Sequence, residues 1–281
     1  MAGLGMIAAL THGGAMLPPG PPANAEPFDR LARRRQRERA VAGFANHDFL
    51  KQAIADDLAD RVAGLDRRFA RVLDLGSHAG SFGRFSNSDM VVALDTAPGF
   101  ARAGAPLAVA ADEDRLPFAD ASFDLIVSAA SLHGVNDLPG ALIQVRRALA
   151  PGGVFLAGLF GGTSLNLLRR DLLEAEDGLT GRAAARVSPM VDSEAAAGLL
   201  QRAGFVDPVA EVDNVTVRYG DLFALLRDLR GMGEGNILSS RVPLRRDVLM
   251  EAARRFAARA DADGRVTVTL QILYLTGWSR A

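Results

Sequence analysis

Arg71-Val-Leu-Asp-Leu-Gly-Ser-His-Ala-Gly80 is a short apolar run that passes into an acidic, glycine-containing turn. Val72, Leu73 and Leu75 suit a strand buried on both faces, and Gly76 and Gly80 let the chain turn sharply and approach a ligand without Cβ interference. The strand predicts an α/β fold, and the turn predicts a nucleoside cofactor seated on it. His78 stands in the middle of that turn, where a bare backbone would allow the closest approach.

Further apolar runs at 90–94, 107–110, 123–129 and 154–160 alternate with helical or turn segments, the pattern of a parallel sheet with crossovers. Residues 137–149 give the clearest crossover helix: Leu138, Leu142, Val145 and Leu149 share a stripe, Pro139 sits in the first turn, and Pro151-Gly152-Gly153 follows. Helices are expected near 163–175 and up to 203, and a strand at 205–217. The rhythm then changes to a helical pair at 219–230 and 247–260 around a glycine-rich turn at 231–236, before a long strand at 265–278. The helical pair, within residues 219–262, is expected to cover the carboxyl edge of the sheet as a lid. Residues 28–62 read as a helical cap, part of a 27–66 segment, with Arg33, Arg34, Arg35, Arg37 and Arg39 crowded at its start. That run reads either as a solvated face or as a grip for an acidic partner. Residues 1–26, rich in Ala, Gly and Pro, read as a disordered tail before a single domain over 27–281.

Composition narrows the chemistry. The chain of 281 residues has 49% hydrophobic residues and a formal charge of −1, which gives no general attraction to nucleic acid. It has no cysteine, which removes disulfides, thiolate zinc sites, cysteine nucleophiles and cysteine-ligated clusters together. Met6 to Leu10 is shorter than the roughly 20 apolar residues of a membrane span. No Lys or Arg precedes Arg30, so a secretory n-region is missing and a cytoplasmic, bacterial protein is expected. Lys51 is the only lysine.

Ligands of open α/β sheets bind beyond the carboxyl ends of the strands, where the strand order reverses. Asp95 ends the second apolar run about 20 residues beyond Asp74, the separation at which a carboxylate accepts from both ribose hydroxyls. Asp112 and Glu113 follow the third run, where an acid can accept from an adenine amino group. The turn after Gly76 has no G-x-G-x-x-G cradle for a pyrophosphate, and S-adenosylmethionine (SAM), which carries no phosphate, fits it better than NAD. His78 reads as a steric block, a cofactor contact or a solvent-facing replacement.

The spacing Asp74-x-Gly76-x-x-x-Gly80 resembles the first motif of class I SAM-dependent methyltransferases, with His78 at the middle glycine. Phe123-Asp-Leu-Ile-Val-Ser-Ala-Ala-Ser-Leu-His-Gly-Val-Asn-Asp137 resembles their fourth-strand motif. It is closest to the branch of mitochondrial complex I assembly factors with protein-arginine hydroxylase activity and their alphaproteobacterial relatives. Phe28-Asp-Arg30, Leu159-Phe-Gly-Gly162, Asp228-Leu-Arg-Gly-Met-Gly-Glu234 and Gln271-Ile-Leu-Tyr-Leu-Thr-Gly-Trp278 support that branch. The Asp228 to Glu234 segment is shared with malonyl-carrier-protein methyltransferases. Gly134 replaces the tryptophan usual in the branch.

The resemblance implies a seven-stranded, mostly parallel Rossmann-like sheet with helices on both faces, and SAM held by Asp74, Gly76, His78, Gly80, Asp95, Asp112, Glu113 and Ser128. It implies a protein substrate, the complex I subunit that carries the terminal iron–sulfur cluster. His133 is a candidate base near neutral pH, with Asn136 and Asp137 beside it as catalytic or helix-capping residues. Arg230, Glu234, Asn236 and Tyr274 are candidates to line the lid side. None of the four histidines forms the H-x-D/E pair of a non-haem iron triad, so no metal site is expected. Conventional methyl transfer to a carrier-bound or small acid, and a non-catalytic assembly chaperone retaining the fold, are the alternatives.

Overall fold

The computed structural model describes residues 26–80 and 88–281. The tail expected over 1–26 therefore lies almost wholly outside the described residues. The single helix expected over 28–62 is two: α1, Arg30–Ala40, and α2, Phe49–Ala63, joined by a 3-10 segment at Val41–Asn46. Gly43 and the Asn46-His47-Asp48 sequence break it, because glycine and short polar side chains favour turns over helix interior. Asp29 caps α1 by accepting from the backbone N–H of Ala32 at 2.9 Å.

The chain then lays down β1 (Arg71–Leu75), β2 (Met90–Asp95), α3 (Pro98–Gly104), β3 (Leu107–Ala110), β4 (Phe123–Ala129), α4 (Leu138–Ala148) and β5 (Leu149–Phe160). After β5 come α5 (Asn166–Thr180), α6 (Ser193–Arg202), β6 (Val206–Tyr219), α7 (Leu222–Gly231), α8 (Arg246–Ala257) and β7 (Val266–Trp278). The seven strands form one sheet in the order β3-β2-β1-β4-β5-β7-β6. β1 pairs in parallel with β2 and with β4, in register Val72↔Val91 and Val72↔Leu125, and only β7 runs antiparallel to its neighbours.

Both faces of the sheet are covered, which is why β1 and β4 are mainly apolar, interrupted only by Arg71, Asp74, Asp124 and Ser128. On one face α2, α5, α7 and α8 enclose Leu58, Val72, Val127, Leu156 and Phe256. On the other, α4 and α6 enclose Leu73, Leu94, Ile126, Leu142 and Phe155. α8 carries its buried Val248, Ala252 and Phe256 into the first of these cores, beside α5. The order reverses between β1 and β4, so the crevice at their carboxyl ends is the place this topology provides for a ligand.

Candidate functional site

At that crevice the chain turns from β1 through Gly76 and Gly80, both at positive φ (71° and 78°). A side chain at Gly76 would meet the Ser131 hydroxyl, and one at Gly80 would meet the backbone of Gly104. His78, between them, also takes a left-handed φ of 49°, a conformation that disfavours a β-carbon. Its ring is buried, stacked on Phe44 at 5.1 Å and tilted against Phe100 at 5.2 Å between ring centres. The solvent-facing reading of His78 is thereby corrected: the aromatic neighbours come from the cap and from α3.

Burial, and then the nearby Arg37 and Lys51 cations, push the His78 imidazole well below its ordinary value. The ring is neutral at pH 7. Nε2 lies 2.8 Å from Nη1 of Arg37, which can only donate, so Nδ1 carries the proton and donates to the Gly76 carbonyl at 2.9 Å.

The arginines of α1 meet the strand-end acids in order. Arg30, Arg33 and Arg37 fall on one face at helical spacing, while Arg34, Arg35 and Arg39 are exposed on the other. Arg37 donates from Nε to Oδ1 of Asp95 at 3.1 Å and from Nη2 to Oδ2. Arg33 grips Glu113 through Nη1 and, at 2.8 Å, through Nη2, and donates to the Ser131 carbonyl at 3.1 Å. Arg30 reaches Asp112 at 3.1 Å and Asp114 at 2.9 Å. The solvated reading of this helix holds only for its outer arginines: Arg37 is 1% exposed and Arg33 7%.

Burial alone would raise the Glu113 carboxyl, yet Arg33 and then Arg37 and the Ser131 hydroxyl hold it at about 2. Lys51, on α2, is fully enclosed, and its Nζ donates to the carbonyls of Gly76 at 3.1 Å and Ala129 at 2.8 Å, tying the ends of β1 and β4 together. Burial pulls its pKa down to about 8, against the pull of the Asp74 carboxylate in the other direction.

The remaining candidates separate. His133 donates from Nε2 to Glu234 at 2.9 Å and packs edge-on to Phe160 at 4.7 Å, while its Nδ1 has no partner among the described residues. Burial would raise the Glu234 carboxyl, but His133 and then the Arg37 and Arg33 cations lower it. Asn136 clamps the Phe28 backbone, accepting from its N–H at 2.8 Å and donating to its carbonyl at 3.1 Å. Asp137 caps α4 through the N–H of Gly140. Asn236 offers its carbonyl to Gln36 at 2.9 Å. Arg230 is exposed. The Tyr274 ring lies under Arg61 at 4.5 Å, and Ser128 is buried within β4 without a partner for its hydroxyl among the described residues. Arg30, Arg33, Arg37, Lys51 and Ser131 are the site residues that the motifs did not single out. The sequence signal for the arginines was their i, i+3, i+7 spacing.

SAM does not fit this arrangement with α1 seated. The Asp95 carboxylate accepts from Arg37 Nε and Ala97 N on Oδ1, and from Arg37 Nη2 and His78 N on Oδ2. These four bonds fill its lone-pair sites and leave none for ribose hydroxyls. Both lone pairs of the Gly76 carbonyl are likewise taken, by Lys51 and His78. A shallow cleft opens beside Arg30, Arg33, Asp112 and Asn136. Among the described residues no group of three or more His, Asp or Glu side chains is placed to hold a metal ion, and no helix is long and apolar enough to cross a membrane.

Residues 73–157 match the family described as a methyltransferase domain. The mitochondrial arginine-hydroxylase NDUFAF5 of Homo sapiens is 36% identical over 263 residues, covering 89% of this chain and 76% of that protein. The malonyl-[acyl-carrier protein] O-methyltransferase of Halorhodospira halophila is 31% identical over 274 residues, covering 92% and 90%. Among solved structures, the YcgJ protein of Bacillus subtilis superposes with a TM-score of 0.56 at 16% identity, over 80% of this chain and 98% of that one.

Proposed function

This chain belongs to the class I SAM-dependent methyltransferase superfamily, in the branch shared by the arginine hydroxylases and the malonyl-carrier-protein methyltransferases, and from that membership we propose that it hydroxylates an arginine of a protein substrate. The higher identity to the relatives named arginine hydroxylase supports this over methyl transfer to a carrier-bound acid. The observation that carries it is the 36% identity, over 89% of this chain, to the mitochondrial arginine-hydroxylase of Homo sapiens.

The proposed partner is the complex I subunit with the terminal iron–sulfur cluster, met in the cytoplasm, and the proposed cofactor is SAM. His133 is the proposed proton-handling group. Its Nε2–H is donated to Glu234, and its Nδ1 is buried with no partner among the described residues. Oxygen insertion into a C–H bond also takes an oxygen donor and, with dioxygen, two electrons, which no side chain of the cleft supplies. The test is peptide mass analysis of that subunit from cells with and without the gene. An arginine peptide lighter by one oxygen atom in the deletion is expected, and an unchanged peptide overturns the reading.

A further inference from the structure

We propose that the arginine ridge of α1 and the nucleoside of SAM compete for the same acceptors, so that the cap and the cofactor exclude one another and α1 must lift before SAM enters. This rests on the reading that the chain binds SAM. The acceptors that would take ribose hydroxyls and an amino-acid ammonium are the Asp95 carboxylate and the carbonyls at the ends of β1 and β4. The ribose acceptor Asp95 is filled by Arg37 of α1, so the competition with α1 is for that carboxylate; Lys51 of α2 holds the Gly76 and Ala129 carbonyls whether or not α1 is seated.

The two departures from the family motifs serve this internal occupancy. His78 accepts from Arg37 and supplies a backbone N–H to Asp95. Gly134 leaves room for Arg33, since a β-carbon there would lie 2.9 Å from Nε of that arginine.

The way α1 is held makes it displaceable. Its buried residues are Arg33, Arg37 and Ala40, and its one large apolar side chain, Leu31, is 53% exposed. Ion pairs to the acid row therefore supply most of its attachment, whereas the apolar anchors of the cap, Phe44, Leu50, Ile54 and Leu58, lie beyond its end. The 3-10 segment Val41–Asn46, with Gly43 inside it, separates the two. At the front, Phe28 is held by Ile237 and Leu238 in a small cluster, and by Asn136. Lifting α1 thus breaks ion pairs, that small cluster, the packing of Ala40 against Phe44 and Phe100, and the hydrogen bonds between Gln36 and Asn236 and between Glu38 and Gly99, and leaves the sheet cores packed.

If a ligand binds only the open state, its apparent affinity falls by the fraction of molecules that are open, and its binding opens the rest. The test uses the full chain. Calorimetric titration with SAM compares wild type with Arg33→Met/Arg37→Met, and hydrogen exchange of wild type follows the α1 amides with and without SAM. We expect SAM to bind the variant roughly tenfold or more tighter, and SAM to reduce protection of α1 in wild type. Equal affinity with α1 protection unchanged or raised overturns the exclusion and leaves SAM binding standing. No binding by wild type or by the folded variant removes the SAM reading, and the exclusion with it. Should the variant fail to fold, the exchange of wild type decides alone.

Discussion

Replacing Arg37 by Met removes a guanidinium that is 1% exposed, together with its two bonds to Asp95, its bond to His78 and its position over the Phe100 ring at 5.5 Å. Breaking a buried ion pair from one side costs roughly 3–5 kcal/mol because the other charge is stranded. Asp95 would keep the backbone N–H donors of His78 at 3.0 Å and Ala97 at 2.8 Å, which places the expected loss at the lower end, about 3 kcal/mol. Asp95→Asn strands Arg37 in turn and should cost a similar amount, about 3 kcal/mol. The double variant strands neither charge, so its loss should fall short of the sum of the singles by about 2–3 kcal/mol. Urea unfolding followed by far-ultraviolet dichroism measures all three, with unchanged slope as the check that one transition is being compared. A loss below about 1 kcal/mol for Arg37→Met, or singles that simply add, would refute the structural role assigned to the pair.

Other outcomes follow from the same groups. Lys51 has a folded pKa of about 8 against an ordinary 10.5, so the unfolded chain holds its proton longer; wild type should gain up to about 3 kcal/mol relative to Lys51→Met as pH rises from 8 to 10.5, read by denaturant titration at each pH. Glu113 runs the opposite way: lowered from 4.5 to about 2, it contributes stability that is present above pH 4.5 and lost as pH falls toward 2, a slope that Glu113→Gln should lack in acid titration. His78→Gly and His78→Ala both lose the stacked ring, but only glycine relieves the left-handed backbone, so His78→Gly should be the more stable by about 1 kcal/mol in thermal unfolding. Asn136→Ala removes two bonds to the Phe28 backbone and should increase proteolytic nicking at the start of α1, with little change in the global melting temperature.

The sheet was legible because burial on both faces writes apolar stretches such as Val72-Leu73 and Leu125–Val127, and because the acids at 74, 95 and 112–113 stand where such strands end. The antiparallel final strand was legible as a long alternating run, although its partners were not. What the acids bind was illegible, because charge carries no address: Arg33 meets Glu113 across 80 positions and Arg37 meets Asp95 across 58. The face that Arg30, Arg33 and Arg37 share is periodic, yet a ridge of arginines reads the same whether it faces water or a row of carboxylates. His78 looked isolated for a similar reason. Its neighbours, Phe44 and Phe100, are supplied by two other elements, and only the folded chain brings them to the turn.

Arg37 closes Asp95, the acid proposed to bind ribose, and the Nε–H of that side chain reports on the closure directly. In a nitrogen-15 NMR spectrum of the ligand-free protein, this proton should exchange with water far more slowly than those of the exposed Arg34, Arg35 and Arg39, and the protection should vanish in Asp95→Asn. An Arg37 Nε–H that exchanges as fast as the exposed arginines would contradict the account.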